Sequence, residues 1–285
     1  MASRARRPSR LFYTCAMSRL PNFVTCADPA ATSPPLVHTR KGRRTLTFES
    51  GDVQSEMLLA RPYALTLQYT RAMMCFALFV PRPRHILMVG LGGGSLAKFC
   101  HRHFPDCRIT VVELRADVIA LREQFLVPPD DARLRVVHAD AVEHVRALAA
   151  RGARPFDVIL VDGFGAEGLP PALGSAAFYR DCRAVLQGGG VLVANVFTYD
   201  RRYPAVLGAL NTVFAHRTCW FDKIAGNNRI VFAIHACAAG DGLPALRRLH
   251  WLARRRGLGL GLLNRLCARL LVTWIAWRSV LVQPH

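Results

Sequence analysis

The sequence predicts an α/β protein built on a mostly parallel sheet, and three observations support this prediction. Short apolar runs, typical of buried parallel strands, alternate with helical segments over most of the chain. Repeated strand–helix–strand units require right-handed crossovers and therefore a parallel sheet. A glycine-rich turn follows the first run, and acidic residues end several of the others. The predicted parallel strands span residues 85–89, 108–113, 134–138, 156–161 and 190–195.

Helices are predicted between these strands, and other elements flank them. The helical stretches run from the glycine turn to residue 103 and over 117–124, 141–150, 176–186 and 202–214. Two late strands, 218–221 and 229–234, are expected to form a closing antiparallel pair. Before the first parallel strand, residues 62–79 predict a helix with Pro62 in its first turn. Residues 45–48 and 52–57 predict a hairpin with a turn at 49–51.

The positive charge of the chain lies in its two tails. The formal net charge is +19, of which residues 1–44 carry +8, residues 247–285 carry +8 and the middle carries +3. A basic patch on the folded domain would indicate nucleic-acid binding, and this distribution argues against it. The predicted organisation is a disordered basic tail (1–40), an N-terminal β-hairpin (41–61), a Rossmann-like nucleoside-binding catalytic domain (62–237) and a basic helical tail (238–285).

Composition argues against several classes of protein. No run of about 18 apolar residues is present, so a membrane-spanning helix is not expected. No apolar segment follows the basic residues at the start, as a secretory signal would require. The nine cysteines show neither a Cys-x-x-Cys pair nor Cys/His spacing for zinc. We therefore expect free thiols in a reducing cytoplasm, and no metal site.

A glycine loop and an acidic residue indicate a nucleoside site. The first strand ends in Gly90, Leu91, Gly92, Gly93 and Gly94. Glycines permit positive φ and allow a ligand to lie against the backbone. No Gly-Lys-Ser/Thr follows, so the loop is not a P-loop. Glu113 ends the second strand about 20 residues later, where a carboxylate can accept hydrogen bonds from both ribose hydroxyls.

Polar residues also end the next three strands. Asp140 and Ala141 follow the third strand; the carboxylate can accept from an adenine amine, cap the following helix, or do both. Asp162 ends the fourth strand, where a carboxylate can orient or deprotonate an amine nucleophile. Asn195 ends the fifth strand and is interpreted as structural. The loop 163–168 is expected to fold over the site.

The order and spacing of several short stretches resemble the spermidine synthases and their bacterial relatives. The stretches are 54–57, 69–74, 90–96, 112–114, 156–162 and 178–179. The resemblance implies a Rossmann-like, S-adenosylmethionine-dependent methyltransferase-type fold with a small N-terminal β element, and often a dimer. It also implies decarboxylated S-adenosylmethionine as co-substrate, with transfer of its aminopropyl group to putrescine. By the same resemblance, Glu113 is the ribose ligand, Asp140 the adenine ligand and Asp162 the base.

The chain departs from the family pattern at three positions. Gly93 stands where the family has an acid in the glycine loop, Gly165 where it has the second catalytic Asp, and Gln54 where it has a Tyr. In the classical members of the family these three groups help to bind the amines, so the resemblance implies that the nucleoside half of the site is better retained here than the polyamine half. Glu167 is a candidate for the missing acid, and Gln54 and Glu167 are the candidate substrate-binding residues.

Three functions remain open at the level of sequence: aminopropyl transfer to an amine, methyl transfer from intact S-adenosylmethionine, and nucleoside binding without catalysis. The expected partners are a small-molecule amine or other nucleophile and a second copy of the chain, without specific nucleic acid. The helix predicted near 260–282 carries Arg265 and Arg269 one turn apart. It is expected to pack on its own domain or on a partner subunit, with an anionic membrane surface as the alternative.

Overall fold

The structure, a computed structural model, describes residues 34–48, 53–164, 168–225, 227–236 and 261–281. Its first unit is a three-stranded antiparallel sheet of β1 (Leu36–Arg40), β2 (Arg43–Thr47) and β3 (Val53–Leu58), in that order. The predicted pairing of β2 with β3 is present, and the predicted turn at 49–51 lies outside the described residues.

Strand β1 lies in the segment that the sequence predicted to be disordered, so that prediction is wrong for residues 36–40. Lys41 and Gly42 join β1 to β2, and their φ angles are 49° and 71°. Two consecutive positive φ angles match the twist of a tight hairpin. The strand was missed because it is mostly exposed and does not alternate apolar with polar residues.

The main sheet has seven strands in the order β6-β5-β4-β7-β8-β10-β9. Strands β4 to β8 run parallel, while β10 is antiparallel to both β8 and β9, as the late strand pair predicted. The strand order reverses at β4, whose neighbours are β5 and β7, and ligands of α/β sheets bind at such a reversal. The bounds are β4 (His85–Val89), β5 (Arg108–Glu113), β6 (Leu134–His138), β7 (Phe156–Val161), β8 (Leu186–Phe197), β9 (Thr218–Ala225) and β10 (Asn228–Ile234).

Helices cover both faces of this sheet and form two apolar layers. The described helices are α1 (Gln68–Met73), α2 (Ser95–His103), α3 (Ala116–Ala120), α4 (Ala141–Ala150), α5 (Ala176–Val185), α6 (Tyr203–Val213) and α7 (Gly261–Leu281). Helix α7 packs on α1, α2 and β9, so the tail helix covers its own domain. No helix in the described ranges is long and apolar enough to cross a membrane.

The predicted helix over 62–79 is wrong at both ends. Residues 62–67 form turns, α1 begins at Gln68, and the chain tightens into a 3₁₀ helix over Met74–Leu78. The Arg71 guanidinium donates to the carbonyls of Leu65 and Thr66, at 2.7 and 3.0 Å, which holds the preceding segment as a loop. The helix predicted over 117–124 is also shorter, since turns replace it after Ala120.

Lys98 is a fully buried cation between α2, β3 and the loop after α3. Its Nζ donates to the carbonyl of Phe125 at 2.6 Å and to Sδ of Met57 at 3.0 Å. Both of these partners are uncharged. Burial lowers the pKa of Lys98 from 10.5 to about 8.

We expect Lys98 to make folding stability rise with pH between about 8 and 10.5. In that window the unfolded lysine still binds a proton and the folded one does not, so protonation favours the unfolded state. The free energy of unfolding of the wild type should rise, relative to Lys98→Met, by about 1 kcal/mol per pH unit. Urea unfolding of both proteins at pH 7.5, 9 and 10.5 measures this difference. Parallel pH curves for the two proteins would contradict it.

Candidate functional site

One large cavity opens at the carboxyl ends of the parallel strands. Its volume is about 1230 Å³, which is enough for a nucleoside and a second small molecule. It is lined by residues that follow β4, β5 and β7, by the C-terminal part of β8, by the start of α4, and by parts of β3 and α1. The cavity therefore lies at the predicted edge of the sheet, beside the reversal of strand order.

Glu113 holds the glycine loop. The loop follows β4, and the carboxylate of Glu113 comes from the neighbouring strand β5. Its Oε2 accepts from the backbone N–H of Leu91 at 2.7 Å, and its Oε1 accepts from the N–H of Arg115 at 2.9 Å. The side chain is 8% exposed and lines the cavity. Each carboxylate oxygen retains a lone pair, so the group can also accept from two hydroxyls of a ligand.

The four predicted glycines have different surroundings. Gly90 has a φ of 94°, and a Cβ there would lie 2.6 Å from the carbonyl oxygen of Asp162, so only glycine fits. Gly90 and Gly92 line the cavity, whereas Gly93 and Gly94 do not. A Cβ at Gly93 would lie 2.6 Å from Oγ of Ser55. The family acid therefore has no room at position 93 in this loop, because the N-terminal sheet packs against it.

Asp140 and Ala141 lie at the wall of the cavity, at the start of α4. The Oδ1 of Asp140 accepts from the N–H of Val142 at 2.7 Å, so the predicted helix cap is present. This bond uses one carboxylate oxygen, and the other can still accept from a ligand. Val142 lines the same wall.

Asp162 lies deep in the cavity and is held by two side chains. Asn195 Nδ2 donates to its Oδ1 at 2.9 Å, and the Tyr69 hydroxyl hydrogen-bonds the same carboxyl group. Burial raises the pKa of Asp162 to about 7, and the two hydrogen bonds keep it from rising further. A carboxyl with a pKa near neutrality is suited to accept a proton at physiological pH.

Asn195 and Tyr69 are the parts of this network that the sequence did not assign to the site. Asn195 is 2% exposed, and its Oδ1 accepts from Nδ2 of Asn228 on β10 at 2.8 Å, which orients the amide toward Asp162. Burial, and then the charge of Asp162, raise the pKa of Tyr69, so its hydroxyl stays protonated as a donor. The interpretation of Asn195 as merely structural is therefore incomplete.

The predicted amine-binding residues are only partly described. Gln54 lines the cavity, and its backbone carbonyl lies 3.3 Å from the Tyr69 hydroxyl oxygen, so it shares with Asp162 the single proton that this hydroxyl donates. Glu167 and Gly165 lie outside the described residues. Ser55, next to Gln54, also lines the cavity, and its Oγ lies 3.4 Å from Oγ of Ser95.

An aromatic wall lines the same cavity and was not found from the sequence. It consists of Phe164, Phe197 and Tyr199. The ring centroids of Phe164 and Phe197 are 4.4 Å apart, and those of Phe197 and Tyr199 are 5.2 Å apart. Aromatic faces attract cationic ammonium groups. The wall therefore offers a cationic amine an aromatic face in the same cavity as the Asp162 carboxylate.

No group of three His, Cys, Asp or Glu side chains in the described part of the chain is placed to hold a metal ion. The expectation that the protein needs no metal stays a prediction.

The fold and the cavity define a Rossmann-like protein of the methyltransferase type, with a cavity at the carboxyl edge of its sheet and the carboxylates of Glu113, Asp140 and Asp162 in the cavity lining. Residues 66–200 match the model of the spermine/spermidine synthase domain. The chain is 35% identical over 207 residues to the polyamine aminopropyltransferase of Neisseria meningitidis, with 72% of this chain and 77% of that protein covered. It is 36% identical over 226 residues to the polyamine aminopropyltransferase of Chromobacterium violaceum, with 78% and 85% covered.

A solved structure agrees with this assignment at the level of fold. The probable spermidine synthase from Corynebacterium glutamicum superposes with a TM-score of 0.62 at 23% identity, over 70% of this chain and 76% of that one. The chain belongs to the spermine/spermidine synthase family. The predicted fold class and the family resemblance are both confirmed.

Proposed function

We propose that the protein transfers an aminopropyl group from decarboxylated S-adenosylmethionine to a small-molecule amine. The polyamine aminopropyltransferases that it resembles support this reaction class. The observation that carries the proposal is the position of Asp162. Its pKa is raised to about 7, it is held by Asn195 and Tyr69, and it shares one cavity with Glu113 and the aromatic wall.

The reaction is an in-line displacement. The lone pair of a neutral amine attacks the methylene carbon next to the sulfonium, a C–N bond forms and the C–S bond breaks. The bonding electrons return to sulfur, which leaves as neutral methylthioadenosine, and the nitrogen loses one proton. Asp162 accepts that proton and orients the attacking nitrogen, while Tyr69 and Asn195 hold the carboxylate in place.

The remaining residues bind the two substrates. Glu113 receives the ribose hydroxyls, Asp140 the adenine amine, and the backbone at Gly90 and Gly92 lies against the nucleoside. The aromatic wall faces the aliphatic and cationic parts of the acceptor. We further propose that the acceptor is a small amine rather than a macromolecule. The expected homodimer and the expected cytoplasmic location stay predictions.

The experiment compares two nucleosides. The full chain is incubated with decarboxylated or intact S-adenosylmethionine and a panel of mono- and diamines, and the nucleoside products are separated by chromatography and mass. We expect methylthioadenosine to be released only from the decarboxylated form and only with an amine present. Release of S-adenosylhomocysteine from the intact form would indicate methyl transfer instead. Calorimetric binding of either nucleoside without turnover on any acceptor would indicate a binding protein.

A further inference from the structure

Helix α7 has one face on the domain and a second apolar face that is exposed. Ala268, Ile275 and Ser279 are buried against the domain, and Ser279 Oγ hydrogen-bonds Nδ1 of His103 at 2.7 Å. The opposite face carries six large apolar side chains that are between 43% and 78% exposed. We call these residues the apolar stripe: Leu262, Leu263, Leu266, Leu270, Trp274 and Trp277.

The stripe is continuous. Leu262, Leu266, Leu270 and Trp274 follow one another at intervals of four residues, and Trp277 comes three residues later. At this spacing the side chains stand on one side of the helix, and from Leu262 to Trp277 they form a row about 23 Å long. Single exposed apolar residues are common on soluble proteins, but a row of six indicates an interaction surface.

The charges beside the stripe all have one sign. Arg265 and Arg269 lie on one flank, Arg278 lies on the other, and α7 contains no acidic residue. Arg278 lies over the ring of Trp274, with 4.8 Å between its Cζ and the ring centroid, and its Nη1 donates to the carbonyl of Pro81 at 3.0 Å. Burial, and then the charge of Arg269, lower the pKa of Arg71 on α1, in agreement with a positive potential at this surface.

The charge pattern distinguishes between two occupants of the stripe. If two copies of α7 paired through it, their flanking arginines would approach one another with no acid on either helix to pair with them. An anionic lipid surface buries the leucines and at the same time pairs with the arginines. Tryptophan also favours the boundary between lipid and water, because its ring is apolar and its N–H is polar.

We propose that α7 is a membrane-surface helix, whose apolar stripe inserts at the acyl boundary of an anionic bilayer while Arg265, Arg269 and Arg278 supply the positive charge that attracts the lipid phosphates. The helix lies along the surface and does not span it. Arg265 also lines the active-site cavity, so the lipid-binding face lies beside that cavity. The proposal is independent of the reaction catalysed.

Vesicle co-sedimentation of the full chain tests the proposal. The vesicles are phosphatidylcholine with or without about 30% phosphatidylglycerol, whose phosphates supply the anionic partner.

The test variant is Leu266→Glu/Leu270→Glu. The matched control, Leu36→Glu/Leu59→Glu, adds the same two charges at exposed leucines of the N-terminal sheet and its following turn, away from the cavity lining. Circular dichroism checks that each variant folds. An uncharged variant, Leu270→Gln/Trp277→Gln, gives a second measurement if the first is unstable.

We expect the wild type and the control to bind the anionic vesicles more strongly than the neutral ones, and the test variant to bind at least about 10-fold more weakly. If the test variants bind anionic vesicles as well as the wild type, the basic tails bind by charge alone and the proposal is wrong. It is also overturned if the wild type does not bind anionic vesicles, and a dimer in sedimentation equilibrium that the stripe substitutions dissociate would then identify a second copy as the occupant of the stripe.

Discussion

Replacing Asp162 with asparagine is expected to lower kcat for aminopropyl transfer by about 10²–10⁴-fold, the usual contribution of a positioned general base. Asparagine keeps the size of the side chain and can still accept from Asn195, but it cannot take the proton from the attacking nitrogen. Steady-state release of methylthioadenosine at saturating amine measures the loss. The thermal unfolding midpoint of the variant, compared with the wild type, separates a catalytic loss from misfolding. A kcat within about threefold of the wild type would remove Asp162 from the mechanism.

The pH dependence of nucleoside binding is a second test of the role of Asp162. The pKa of Asp162 is about 7, so the carboxyl is neutral below that pH and anionic above it. An anion beside the sulfonium strengthens binding, so the Kd for decarboxylated S-adenosylmethionine should fall as the pH rises through about 7. In Asp162→Asn this dependence should be absent. The bound sulfonium cation also stabilises the carboxylate and so lowers the pKa of Asp162 in the complex. The acidic fall of kcat should therefore occur at a lower pH than the change in Kd.

The parts of the fold that could be read from the sequence are those encoded locally. Each parallel strand is a short apolar run, and its last residue is visible in the sequence, so the sequence could identify Glu113, Asp140 and Asp162 as strand ends. Parallel strands end at the same edge of a sheet, which was enough to place these three residues in one cavity. Strand β1 has no such apolar run, so the sequence did not predict it.

The parts that could not be read depend on contacts between distant segments. The bonds that fix Asp162 come from Tyr69 on α1 and Asn195 on β8, and Asn228 on β10 orients Asn195. None of these pairings follows from spacing along the chain. Gly93 was predicted to face the nucleoside, but the packing of Ser55 against the loop turns it away from the cavity. A Cβ at position 93 would lie 2.6 Å from Oγ of Ser55, so this loop has no space for the acid that the family pattern has there.

Glu113→Ala is expected to weaken the binding of decarboxylated S-adenosylmethionine by about 10²–10³-fold, because two hydrogen bonds from the ribose hydroxyls to a charged acceptor are lost. The substitution also frees the N–H of Leu91, so part of the loss comes from a loosened glycine loop.

Glu113→Gln is the matched variant: it retains the shape and one carbonyl acceptor, but it carries no charge. If Glu113 binds the ribose directly, calorimetry should place the Gln variant between the wild type and Ala, and adenine alone should bind the wild type and Gln proteins equally. If Glu113 serves only to hold the loop, each variant should lose affinity for adenine alone by the same factor as it loses affinity for the nucleoside. Wild-type nucleoside affinity in both variants would place the ribose elsewhere and would remove the basis for a nucleoside at this edge of the sheet.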